Sequence, residues 1–225
     1  MIYILSILST MNININISKK YQTIDGFGAS DAWIPNFIGK YWNETEKEGI
    51  AQLLFSTEIS NHQPLGIGLS MWRFDIGGCT SEQGDSSDIP EITRRAECFL
   101  TETLDYDWSN KHAGQQYFMD KAFQYGCRNF VLFSNSPPVY YTSNGKGYSS
   151  NGAYANRPYE NYKKFADYMA SVANYFVRMK GIPITLVSPV NEPQYNWDNP
   201  TQEGSGWQNE EVAHIVLSEE SPVEA

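Results

Sequence analysis

Four short apolar runs alternate with amphipathic stretches along this chain, and that alternation limits the fold more than any other feature. The runs fall near residues 24–28, 66–73, 129–134 and 184–190, and helical periodicity falls near 44–55, 115–125, 159–180 and 209–217. Strand, crossover helix and strand in that order specify a parallel sheet with right-handed connections, so the fold class is α/β with four β/α units. The runs are apolar throughout, as expected of strands covered on both faces. Asn43, with Glu46 three residues on, caps the first helix. In the third, Phe165, Met169, Val172, Phe176 and Met179 form one stripe that Gly181 ends. Residues 12–17 alternate Asn and Ile with period two, which reads as a strand with one wet face, set apart from the others and suited to a flanking sheet.

With 225 residues, 41% of them hydrophobic, the chain can bury a real core. No internal repeat and no linker divides it. Residues 1–20 read as an N-terminal segment, 21–217 as one α/β unit, and 218–225 as an irregular tail. The net charge of -10 would repel phosphates, so a nucleic-acid partner is excluded and a neutral substrate fits better. Many of the 15 Tyr and 6 Trp fall in Gly/Asn/Ser-rich loops. Their flat apolar faces and polar edges suit sugar rings, although any one of them could equally be core. Cys79, Cys98 and Cys127 are odd in number and lack metal-ligand spacing, so neither a disulfide framework nor a zinc site is indicated. His62, His112 and His214 show no metal-binding spacing either, and no metal or cofactor is expected. Residues 1–9 are apolar but lack a basic start and a small-x-small cleavage site, so they do not read as a complete secretory signal. No run reaches membrane-spanning length.

The residues that could carry chemistry cluster where the apolar runs end. The fourth run stops at Asn191-Glu192-Pro193, because Pro193 cannot continue a ladder. A carboxylate at the C-terminal end of a buried parallel strand stands where α/β barrels keep their catalytic groups, which makes Glu192 the candidate general acid. Arg73 lies between Trp72 and Phe74, where an unpaired guanidinium is costly. It either pairs with Asp75 structurally or points into the mouth of the sheet to orient a catalytic carboxylate. Gly26-Phe27-Gly28-Ala29-Ser30-Asp31 begins like a dinucleotide fingerprint, but Asp31 would set a charge beside any pyrophosphate. Asp31 reads as a sugar-hydroxyl acceptor or as a helix cap. The segment from Ser134 to Thr142, with Asn135 and Tyr140, ends the third run with polar groups and aromatics that could line a cleft or form an ordinary loop.

Taken together, Asp25-Gly26-Phe27-Gly28-Ala29-Ser30, Arg73-Phe74-Asp75-Ile76-Gly77-Gly78, Ser134-Asn135-Ser136-Pro137-Pro138 and Ser188-Pro189-Val190-Asn191-Glu192-Pro193 resemble the successive strand-end motifs of glycoside hydrolase family 30. The resemblance implies the first four units of a (β/α)8 TIM barrel from a retaining clan that includes glucosylceramidases, xylanases and endo-β-1,6-galactanases, the third motif being most similar to the galactanase-like branch. It implies Glu192 as acid/base, Asn191 as the group that holds the sugar 2-hydroxyl, and Arg73 as the partner of the nucleophile. Asp31, Asn135, Tyr140 and Trp197 complete the expected substrate-binding set. The family's nucleophile is a Glu on a seventh strand, which this sequence does not contain. The family's β-sandwich is represented only by the strand expected at residues 12–18. The resemblance further implies a carbohydrate substrate and a secreted or periplasmic protein. A half barrel would expose two sheet edges, through which self-association is expected. The contrasting reading is a non-catalytic carbohydrate-binding segment.

Overall fold

The computed structural model describes residues 14–156 and 159–218. Strands β1 (Gly28–Ser30), β2 (Met71–Asp75), β3 (Asn129–Phe133) and β4 (Ile184–Ser188) form one all-parallel sheet in the order β1-β2-β3-β4. Ser30 stands opposite Arg73, Arg73 opposite Val131, and Val131 opposite Leu186. Successive strands are therefore neighbours, as the alternation predicts. Helices α1 (Ile34–Tyr41) and α2 (Glu44–Phe55) follow β1, α3 (Ala113–Gln124) precedes β3, α4 (Tyr162–Asn174) precedes β4, and α5 (Asn209–Ser218) follows β4.

The core lies between the sheet and the helices. Trp72, Phe74, Phe130 and Leu132 alternate onto one face of β2 and β3 and pack with Phe55, Phe118 and Phe176. Trp72 meets Phe55 edge-on at 5.0 Å, and Phe74 meets Phe176 at the same separation. Truncating a buried aromatic of this kind costs about 3–5 kcal/mol. The opposite face is open. Gly28, Ser30, Met71, Arg73 and Val131 line an apolar concavity of about 300 Å³. Leu186 is 59% exposed and β1 is exposed along its length, so the expectation that both faces are covered holds only for the helix side.

The asparagine cap of α2 forms as expected, Asn43 Oδ1 accepting from Glu46 N at 3.0 Å. Helix α1 escapes the periodicity because it is only eight residues long. It forms where Gly39 meets Gly114: a Cβ on either would overlap the other helix's backbone, so α1 and α3 can touch main chain to main chain. The expected second strand begins later, at Met71. Residues 65–69 instead fold back on the end of α2, with Ile67 N bonded to Leu53 O and Leu69 N to Leu54 O. The third helical stripe is buried at Phe165, Met169, Val172 and Phe176, but Met179 is 76% exposed. Residues Tyr175–Met179 form a π-helical turn whose extra residue rotates Met179 off the stripe.

Two expectations are corrected. Of the strand expected at residues 12–18, residues 12 and 13 lie outside the described residues, and 14–18 are exposed with a turn at 17–18 and no ladder partner. Alternation alone cannot make a strand without a sheet edge to join. Cys79 and Cys98 form a disulfide, Cα atoms 4.6 Å apart, that staples the long insertion after β2. Only the tertiary turn of that insertion brings them together. Cys127 is free and buried. Residues 219–225 of the expected tail lie outside the described residues. Among the described residues, no helix is long and apolar enough to cross a membrane.

Candidate functional site

Because all four strands run parallel, the residues at their C-terminal ends converge at one edge of the sheet. Arg73 sits in the middle of β2 on the open face, its guanidinium 3.2 Å from the Phe133 ring centroid. It donates from Nη2 to Asn191 Oδ1 at 2.8 Å, joining the middle of the second strand to the loop after the fourth. Arginine has no acceptor, so this bond fixes the orientation of the Asn191 amide and leaves its NH2 to donate elsewhere. Among the described residues Arg73 forms no ion pair with Asp75, although the Asp75 charge acts on it. Half-burial lowers the guanidinium pKa, opposed by the charges of Asp75, Asp31 and Glu192.

Glu192 is exposed and takes a left-handed conformation, φ 46°. Its carbonyl accepts from Tyr195 N at 2.9 Å and from the Trp197 indole at 3.1 Å, and these bonds hold a turn that a non-glycine residue otherwise avoids.

Beneath this edge lies a buried polar layer. Asp31 Oδ1 accepts from Asp75 N at 2.9 Å and from Gln115 Nε2 at 3.0 Å, while Oδ2 is buried without a partner. Asp75 Oδ2 accepts from Asn135 Nδ2 at 3.0 Å, and its Oδ1 from Gly77 N at 3.1 Å. His112 bonds Gln115 at 2.6 Å, and burial lowers its pKa. Burial drives the Asp31 carboxyl well above the usual range, and the nearby Asp75 adds to that. Burial likewise pushes Asp75 up to about 6, against the hydrogen bonds from Gly77 and Asn135.

Sequence reasoning missed one acidic residue of this region. Glu203 is completely buried, accepting from Gly78 N at 2.8 Å, Thr80 N at 3.3 Å and Thr80 Oγ1 at 2.6 Å. A Glu in a Gly-rich loop reads as solvated, and nothing local marks it otherwise. Burial and the charge of Asp75 raise its pKa well above the usual range.

The expected binding residues separate into three groups. Arg73 and Asn191 meet beside Glu192. Asp31, Asn135 and Trp197 are at most 3% exposed and present no surface to a sugar in this conformation. Asp31 and Asn135 are bonded to Asp75, while the Trp197 indole bonds the Glu192 carbonyl of its own loop. Tyr140 lines a separate pocket of about 300 Å³ with Glu82, Gln83, Glu102, Val139 and Gly145. Among the described residues no cluster of three or more His, Cys, Asp or Glu could hold a metal ion.

The raised carboxyl of Asp75 gives a pH dependence. Unfolded Asp75 loses its proton near pH 4 and folded Asp75 near pH 6, so the folded state is favoured at low pH and that advantage is lost as pH rises between the two. The difference amounts to about 3 kcal/mol at neutral pH. Asp31 and Glu203 act in the same direction. Asp75→Asn is expected to flatten the decline in unfolding free energy from pH 4 to 6, measured by urea melts. An unchanged slope would contradict the assignment.

The model of O-glycosyl hydrolase family 30 matches residues 10–223. An endo-β-1,6-galactanase of Hypocrea rufa is 28% identical over 220 residues, covering 91% of this chain and 44% of its own length. Among solved structures, a conserved exported protein from Bacteroides fragilis is 36% identical with a TM-score of 0.84, over 91% of this chain and 42% of that one. The catalytic domain of xylanase C from Talaromyces cellulolyticus, 21% identical with a TM-score of 0.62 over 91% of this chain and 44% of that one, shares the fold. The chain thus spans less than half the length of these relatives.

Proposed function

Since the chain belongs to O-glycosyl hydrolase family 30, we propose that it carries the acid/base half of a retaining β-glycosidase site, built on the first four units of a (β/α)8 barrel over residues 21–217. The observation that carries this reading is the Arg73–Asn191 bond, which ties the second strand to the loop after the fourth beside an exposed Glu192. Glu192 donates a proton to the leaving oxygen and then takes one from the attacking water. The free NH2 of Asn191 donates to the sugar 2-hydroxyl, and Arg73 holds that amide in place. Retaining chemistry needs a second carboxylate about 5–5.5 Å away. That role is assigned to none of these 225 residues.

The substrate is a β-linked polysaccharide, with β-1,6-galactan favoured by the galactanase relative and by the Ser136-Pro137-Pro138 segment. Xylan and glucosylceramide are the alternatives within the family. The Cys79–Cys98 disulfide, of the kind formed in oxidising compartments, supports export. Among the described residues no further strand pairs with the edges at β1 and β4, which supports association with a further copy or segment. A second reading, a glycan-binding segment without turnover, is favoured by the unassigned nucleophile.

The 225-residue chain alone is expected to give no turnover of aryl β-glycosides or β-1,6-galactan, because the covalent step lacks its carboxylate. Hydrolysis that disappears in Glu192→Gln would contradict this and reveal a substitute nucleophile within the chain.

A further inference from the structure

We propose that Glu203 is a positioning residue, which clamps the loop bearing Glu192 to the turn after β2 and so sets the acid/base against Arg73. The proposal rests on the reading of Glu192 given above and extends it to a residue that does not itself reach the open face.

The loop after β4 folds back on itself. Trp207 N bonds Pro193 O at 3.0 Å, and the Trp197 indole bonds Glu192 O at 3.1 Å, so residues 192–207 make a compact closed loop. Such a loop is rigid internally but needs a tether to the sheet. Glu203 supplies one to the turn after β2: its carboxyl collects two backbone N–H groups and one hydroxyl from Gly78 and Thr80, both shortly downstream of β2. Arg73 is on the same strand, so Glu203 fixes the Glu192 loop to the element that carries its partner.

The fit is close on both sides of the carboxylate. Gly78 stands against it where a Cβ would crowd both Glu203 oxygens, at 3.2 Å. On the next residue a Cβ would overlap the Trp197 ring, so Gly204 lets the indole lie directly on the main chain. Trp197 is 3% exposed. A mechanical path therefore runs from Thr80 through Glu203 and Gly204 to Trp197 and the Glu192 carbonyl. A buried carboxyl that takes three hydrogen bonds in a loop is costly to desolvate, and a simple loop closure would not require one.

The test measures hydrogen exchange at the Trp197 indole N–H by NMR in the full chain. The indole of Trp72, buried on the far side of the sheet, is the internal reference. Glu203→Ala and Thr80→Val share the loss of the Glu203–Thr80 bond; Thr80→Ser retains the hydroxyl and should rescue. The Trp197-to-Trp72 exchange ratio is expected to rise on the order of tenfold in the first two variants, the equivalent of one buried hydrogen bond, and to stay near wild type in Thr80→Ser. The Asn191 side-chain amide signals should shift with it. An unchanged ratio in Glu203→Ala and Thr80→Val, or equal behaviour of Thr80→Ser and Thr80→Val, would overturn the clamp. Should Glu203→Ala fail to fold, the threonine pair decides. Failure of wild type to bind any β-linked oligosaccharide would instead count against the glycosidase reading, and the exchange ratio is measured without sugar.

Discussion

Replacing Arg73 with alanine is expected to weaken binding of a β-1,6-linked galacto-oligosaccharide by roughly 10- to 100-fold, the worth of one hydrogen bond from a charged donor. The bond from Nη2 to Asn191 is lost, so the amide that should face the sugar is free to turn. The stacking on Phe133 goes with it. The same substitution has a second signature. The Arg73 charge lowers both Asp31 and Asp75, so its removal raises Asp75 further, and the loss of stability is expected to be larger at pH 7 than at pH 4, where Asp75 is protonated with or without it. Arg73→Lys separates the two effects. A lysine keeps the charge, and therefore the pH profile, but lacks the planar fork and should not restore affinity. Calorimetric titration and urea melts at both pH values check this; wild-type affinity in Arg73→Ala would remove the residue from the site.

The parts of this account that were legible in the sequence are those set by local chemistry. Period and punctuation gave the strand order, the Asn43 cap and the burial of Phe165, Met169, Val172 and Phe176, because each depends on residues a few positions apart. The convergence of Arg73, Asn191 and Glu192 followed from the parallel order of the strands. Long-range contacts were not legible. Asp31 and Trp197 look like site residues from their neighbours, yet one is committed to Asp75 and the other packs beneath Glu192. Glu203 looks like a solvated loop residue, yet it is fully buried because Gly78 and Thr80, more than a hundred residues earlier, supply its donors. The π turn at Tyr175–Met179 similarly defeats a strict 3.6-residue extrapolation.

The second large effect is expected from the disulfide. Exchanging Cys79 and Cys98 together for serine should lower the unfolding free energy by about 3 kcal/mol, from the loop-closure entropy of a cross-link of this span. The native insertion is also held by Ser81 N to Ala96 O at 2.9 Å and Ala96 N to Thr80 Oγ1 at 3.0 Å, so its folded geometry should survive while the unfolded chain gains freedom. The urea midpoint of wild type should fall on reduction to that of the double variant, which should itself be insensitive to reductant. Equal midpoints for oxidised wild type and the double variant would show that the cross-link contributes nothing to stability.

The central claim is that Arg73, Asn191 and Glu192 form one sugar-binding site at the C-terminal edge of the parallel sheet. Titrating the isotope-labelled chain with a β-1,6-linked galactobiose and mapping the NMR shifts tests it most directly. The account predicts saturable shifts centred on Arg73, Asn191, Glu192 and the Trp197 indole, reduced in Arg73→Ala. Saturable shifts confined to the opposite edge of the sheet, or to the pocket around Tyr140, would contradict it.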